Sequence, residues 1–261
     1  MVYEKVNNPQ VWDIFFENAD QNKYSIYYHA KKVDIEKSLN IKSKNQHIKI
    51  PEILTQWGDI SLWLVMNSLI GYSFSDFKNH RFVFVSQSCI PLYNFDEIYE
   101  MVFKEDNSRI LFSDKNEIFP KYNHLEQLFE RSQIVKHHQW IILTRKHVSV
   151  LLRQRHRWEY LLLSLNKKIT QKWIPDEALF GTLLNHFGQQ EEISNKCVTY
   201  ADWTNKSYLA SYDLVDKNLI KKARDQGCLF LRKTKPQTKI NEDVLEIFKQ
   251  QDYFINSQCW V

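Results

Sequence analysis

The sequence predicts an α/β protein. Two kinds of stretch alternate along it: runs rich in β-branched and aromatic residues at 24–29 and 81–85, and longer segments whose apolar residues recur at helical spacing at 62–70 and 179–187. The composition suits a packed core, with 43% hydrophobic and 14% aromatic residues and five glycines in 261. Nothing repeats, and no linker rich in Gly, Pro or Ser divides the chain, so a single domain over 1–261 is expected.

Charge and cysteine usage narrow the function classes. Thirty-five basic against 31 acidic residues leave a formal charge of +4, too small to demand nucleic acid but compatible with a locally positive cleft. Cys89, Cys197, Cys228 and Cys259 form no C-x-x-C pair, so neither a zinc cluster nor a disulfide framework is expected, and a reduced compartment is the simpler assumption. The residues after Met1 have no apolar core of signal-peptide length, and no run reaches membrane-spanning length. A chain that is cytoplasmic or otherwise soluble is therefore expected.

Taken in order, 11–16 reads as a short helix and 24–29, ending at His29, as a strand. Residues 31–49 are polar and lysine-rich, a loop or short exposed helix. Gln56, Trp57, Gly58 and Asp59 lead into a helix from Leu62 to Ile70, with Gly71 as its stop. The apolar run 81–85 reads as a strand buried on both faces, ending in Ser86, Gln87 and Ser88. Ligands of open α/β sheets bind beyond the carboxyl ends of strands, which makes Ser86 and Ser88 candidate contacts. The chain contains no Asp-x-Asp, the usual diphosphate-metal motif at such a place, so no divalent metal is expected.

Residues 110–114 read as a further strand. His137 and His138 are neighbours on an extended segment, where adjacent side chains point to opposite faces, so a shared metal is not expected. A helix over 148–165 carries Arg153, Arg155, His156 and Arg157 among leucines, and Val244 to Phe248 forms a terminal one. Between them lies the most informative stretch. Pro175 opens a helix whose first turn holds Asp176 and Glu177, and Leu179, Leu183, Leu184 and Phe187 pack it onto a core. A carboxylate held steady at a helix mouth is suited to general-base work, although acidic residues in a first turn commonly do no more than cap or solvate it.

Pro175-Asp176-Glu177 resembles the motif of the core-2/I-branching N-acetylglucosaminyltransferases and their relatives, the peptide O-xylosyltransferases and related plant and microbial glycosyltransferases. Five more blocks are similar to that family in the same order: 24–29, 55–62, 88–95, 198–203 and 228–233. The resemblance implies a GT-A-type, Rossmann-like mixed sheet flanked by helices, with a nucleotide-sugar half over about 1–115 and an acceptor and catalytic half over about 116–261. It implies an inverting transfer of N-acetylglucosamine or xylose from a UDP-sugar to a glycan hydroxyl, without a metal. Glu177 would be the base and Asp176 its neighbour at the acceptor. Lys233, with Arg232 and more loosely Lys206, would hold the diphosphate. His29, Gln56, Trp57, Asp59, Ser86 and Ser88 fall at the donor side, and Gln139, Trp140, Tyr200, Asp202 and Trp203 at the acceptor cleft. The family commonly has Lys-Gly-Ser-Gln-Trp where this chain has Lys136-His137-His138-Gln139-Trp140, so His137-His138 replaces Gly-Ser and removes a glycine's backbone freedom there. Two other readings remain: an inactive relative that binds a glycan, and a polyanion-binding protein using Arg153 to Arg157.

Overall fold

The computed structural model describes residues 1–31, 39–114, 121–171, 173–203 and 209–249. Its helices are α1 (Pro9–Glu17), α2 (Ile60–Phe74), α3 (Phe95–Phe103), α4 (Arg145–Arg153), α5 (Arg155–Asn166), α6 (Leu179–His186), α7 (Lys217–Asp225) and α8 (Glu242–Phe248). The strands are β1 (Ile26–Tyr28), β2 (His47–Lys49), β3 (Arg81–Val83), β4 (Ile90–Pro91), β5 (Ser108–Arg109), β6 (Ile142–Thr144), β7 (Ile193–Ser194), β8 (Thr199–Ala201), β9 (Tyr212–Val215), β10 (Phe230–Arg232) and β11 (Thr234–Ile240). The result is the mixed α/β architecture expected, assembled from short strands.

Those strands form four small sheets, ordered β3-β6-β5-β7, β4-β10-β8, β1-β2 and β11-β9. In the first, β6 runs antiparallel to both β3 and β5, while β7 is parallel to β5. In the second, β10 pairs parallel with β8 and antiparallel with β4. Helix starts are fixed locally. Asp59 accepts from the Ser61 N–H at 2.8 Å, Asn94 and Glu97 make a reciprocal box at α3, and Thr144 and Asp216 cap α4 and α7.

Three apolar clusters hold these layers together. The largest joins Trp63, Met66 and Ile70 of α2 to Leu143 of β6, Trp158 and Leu162 of α5, and Phe180 and Leu184 of α6. A second gathers Trp12, Phe15 and Phe16 of α1 with Phe95 and Ile98 of α3. The third centres on Leu231 of β10, Ile220 of α7 and Phe248 of α8.

Several sequence expectations are corrected. Gly71 does not stop α2; the helix runs to Phe74, and a Cβ at position 71 would stand 2.6 Å from Arg155 Nη1. The glycine is there to let α5 approach. The expected helix over 148–165 is two helices, broken at Gln154, where φ −121 and ψ 27 leave the helical region. Arg155 is consequently no solvated charge: its Nε donates to Glu159 at 2.7 Å, and Glu159 also accepts from Asn67 of α2 at 2.9 Å. The strand expected at 110–114 lies at β5, with an isolated bridge from Phe112 to His137 further on. In β3, Phe82 is buried but Val83 is 37% exposed, so the run is not covered on both sides. Its open edge faces a cavity. Among the described residues no helix is long and apolar enough to cross a membrane.

The cysteines give the clearest correction. Cys197 and Cys228 form a disulfide, with Cα atoms 5.0 Å apart, although 31 positions separate them in sequence. The parallel pairing of β8 with β10 brings their starts together, which no local spacing signals. The argument for a reduced compartment rested on unpaired cysteines, and it falls with this pair; among the described residues Cys89 is free and buried. Replacing Cys197 and Cys228 together by serine should lower unfolding free energy by about 2–4 kcal/mol, because a loop of this length is closed in the unfolded state as well. Denaturant melts of wild type with and without reductant check it: reductant should shift the wild-type midpoint and leave the double variant's unchanged.

Candidate active site

The site is built around the stretch after α5. Trp173 is buried and anchored by its Nε1, which donates to Asn166 Oδ1 at 2.8 Å. Ile174 then takes the left-handed region, φ 54 and ψ 69, and Pro175–Glu177 form a single 3₁₀ turn. Ala178, at φ −141 and ψ −41, interrupts the chain before α6 starts at Leu179. The two carboxylates therefore sit on a separate tight turn and not in the first turn of a continuous helix. Proline supplies the fixed φ that starts the turn, and the Glu177 N–H closes onto the Ile174 carbonyl at 3.1 Å.

Burial governs the charges of this turn. Asp176 is only 3% exposed and its Oδ1 has no hydrogen-bond partner, so loss of water, followed by the charge of Glu177, raises its pKa to about 7. Glu177 is half-buried, and its pKa is also raised by desolvation. Lys136, Lys121 and Arg232 oppose that shift by favouring the ionised form. Lys121 has its own pKa lowered, by burial first, with Glu177 pulling the other way. The arrangement is a carboxylate pair whose members both have pKa values raised by burial, with three cations acting on Glu177.

Arg232 reaches this pair from the end of β10. Its guanidinium lies 4.6 Å from the Trp140 ring centre, a cation–π contact, and its Nε has no hydrogen-bond partner. Lys233, the next residue, is exposed, and Thr234 returns to the core by donating through N and Oγ1 to the Ser88 carbonyl, at 3.0 and 3.2 Å. The loop after β3 is thereby fastened to the end of β10. Within it Ser86 Oγ and Ser88 Oγ are 3.1 Å apart.

The turn is held from outside by position 137. The His137 N–H donates to the Glu177 carbonyl at 2.7 Å, and its ring, fully buried, bonds through Nδ1 with the His138 carbonyl at 2.8 Å. Burial lowers the ring's pKa to about 4, so it is neutral near pH 7. Neither His137 nor His138 has a positive φ, so the backbone here needs no glycine. What it needs is space. A Cβ on Gly181 of α6 would stand 2.9 Å from the His137 ring and 2.8 Å from Val135 Cγ2.

The structure brings Asp176, Glu177, Arg232 and Trp140 together; Lys233 follows Arg232 in the chain and is exposed, and the loop carrying Ser86 and Ser88 is bonded to Thr234. Asp59 caps α2, which packs against the Pro175–Glu177 turn, and Gln56 N–H donates to Ser61 Oγ at 3.0 Å; Trp57 is exposed. His29 is buried, and its Nε2 is engaged with the Ile53 backbone at 3.1 Å. Tyr200 is buried beside β10, and Asp202 lies 3.4 Å from Lys222 Nζ. Trp203 is 51% exposed, and Gln139 is half-buried beside Trp140. Lys206 lies outside the described residues. Lys121 carries no signal in the sequence, because a single lysine in a polar segment shows no pattern, whereas Lys136 stands just before His137-His138, where the family commonly has a lysine.

A mixed α/β architecture with a buried acidic turn facing cationic groups is compatible with a glycosyltransferase fold. The chain belongs to the core-2/I-branching enzyme family, whose model matches residues 1–223. The match stops short of Arg232 and Lys233. The chain is also similar to the glycosyltransferase BC10 of Oryza sativa subsp. japonica, 27% identical over 216 residues, covering 74% of this chain. It spans 53% of that relative's length.

Two outcomes follow from the geometry. Gly181→Ala should cost about 1–3 kcal/mol by forcing the His137 ring to move, and should disturb the Glu177 carbonyl bond with it; thermal melts and the chemical shift of the His137 amide check this. Asp176 has a raised folded-state pKa, so its contribution to stability is complete below 3.8 and is lost as pH rises through about 7. Asp176→Asn removes that titration. Its stability relative to wild type should therefore rise between pH 4 and pH 7, about the window of the shift, in paired urea melts.

Proposed function

We propose that the chain transfers a sugar, N-acetylglucosamine or xylose, from a UDP-sugar to a glycan hydroxyl with inversion at the anomeric carbon. The observation that carries this reading is Glu177, a half-buried carboxylate on a fixed turn with Lys121, Lys136 and Arg232 acting on it. As general base, Glu177 takes the proton of the acceptor hydroxyl as its oxygen attacks the anomeric carbon. Asp176, whose pKa is raised to about 7 by burial, orients the acceptor and can donate to it where it carries its proton. The negative charge growing on the departing diphosphate is met by Lys233, which is exposed, and by Arg232, its neighbour in the chain. These cations take the place of a divalent metal, and Tyr200, Trp203, Trp140 and Gln139 border the acceptor. The family membership and the likeness to a plant glycosyltransferase support the class of reaction.

The test is a panel of UDP-sugars with glycan acceptors, in EDTA and in manganese. One donor should turn over equally in both. Glu177→Gln should lower kcat by about 10²–10⁴-fold with UDP binding kept, and Lys233→Ala should weaken UDP binding by about 10–100-fold. Activity of the wild type should fall on acidification at a pH above the ordinary carboxylate range, because the base must be ionised. Strict dependence on manganese would overturn the diphosphate assignment, and glycan binding without turnover of any donor would favour an inactive relative.

A further inference from the structure

One helix face carries charge that the acidic turn does not use. Between Arg153 and Gln171 the chain holds five arginines and lysines and one acid, Glu159. That acid is turned inward, where it accepts from Arg155 at 2.7 Å and from Asn67 of α2 at 2.9 Å. Arg153, Arg157, Lys167 and Lys168 are exposed, and among the described residues none of them is in an ion pair. The helix itself does not explain them. The first turn of α5 contains no acidic residue, and cations there oppose the helix dipole.

Spacing gathers these residues on one side. Positions 157, 160, 163 and 167 recur at steps of three or four, on the face away from the buried Trp158, Leu162 and Leu165. Tyr160 is 72% exposed and Leu163 36%, so the middle of this line is apolar while both its ends are cationic. With twelve residues α5 is about 18 Å long, too far for one small anion to meet both ends. The face is also held rigidly. Trp158 stacks on Phe129 with ring centres 5.0 Å apart, and Asn166, the last residue of α5, accepts from Trp173 ahead of the acidic turn.

We propose that this face docks the protein on the surface of an anionic lipid bilayer, with α5 lying in the plane of the headgroups. Arg153, Arg157, Lys167 and Lys168 meet the anionic headgroups, and Tyr160 and Leu163 enter between them. The inner side of α5 stays in the core, so the insertion is shallow and reversible. A second copy of the chain is a poor occupant, because two such faces set against each other place like charges opposite. A nucleic-acid backbone would satisfy the cations and leave Leu163 without an apolar partner.

The test is flotation of the full chain with vesicles of phosphatidylcholine alone and of equal parts phosphatidylcholine and phosphatidylserine, at low and at high salt. Wild type should float with the phosphatidylserine vesicles only, and salt should release it. Arg157→Gln combined with Lys167→Gln should weaken that binding by about 20–30-fold, at about fivefold per charge, with Tm unchanged. Lys104→Gln combined with Lys239→Gln removes the same net charge from exposed sites elsewhere and should change it by less than about threefold. Leu163→Ser should weaken it by about fivefold. Equal weakening by the two charge pairs overturns the proposal, as does failure of the wild type to bind phosphatidylserine vesicles. So does unchanged vesicle binding in Leu163→Ser together with tight binding of poly-uridine, since the face would then serve any polyanion.

Discussion

Two adjacent carboxylates taken out of water set the terms for everything around the Pro175–Glu177 turn. A pair of like charges in a low-dielectric place is tolerated only if one carries a proton or cations stand close, and here both conditions are met. Asp176 lies deeper, and loss of water together with the charge of Glu177 beside it raises its pKa to about 7. Lys121 and Lys136 come from segments that have little structure of their own, and Arg232 from a strand of a different sheet. The site is therefore a product of the tertiary fold. No one element holds it.

The packing around the turn explains why it stays in place. His137 grips it through the Glu177 carbonyl, and the ring can lie there only because Gly181 offers no side chain. On the far side, Trp63 of α2 meets Phe180 of α6 with ring centres 6.2 Å apart, so the helix capped by Asp59 also supports the helix that follows the turn. The loop carrying Ser86 and Ser88 is tied to β10 by Thr234, and β10 is tied to β8 by both ladder and disulfide. The residues assigned to donor and acceptor thus share one mechanical frame.

Much of this was legible in the chain. Alternation of β-rich and helix-period stretches gave the α/β class and most element positions, and the proline followed by two acids marked the turn. What was hidden shares a physical cause: it depends on partners distant in sequence. The break at Gln154 has no proline or glycine to announce it, and α2 runs through Gly71 because the glycine serves an arginine 84 positions away, a contact that periodicity cannot reveal. The Cys197–Cys228 pair follows from strand order. The exposed side of β3 was read as buried because an apolar run looks the same whether or not both its faces are covered.

Ile174 has a consequence of another kind. A β-branched residue in the left-handed region costs on the order of 1–2 kcal/mol over glycine, which would sit there freely. The chain forgoes that stability one residue before its two acids, where a flexible residue would let the turn sample several directions. Stabilising changes are easiest to find at such strained places, and selection for thermal resistance alone would favour glycine or asparagine at 174. Their benefit to the fold and their effect on the aim of Glu177 would then have opposite signs, so improved melting and loss of the catalysis proposed for Glu177 should arise together at this one position.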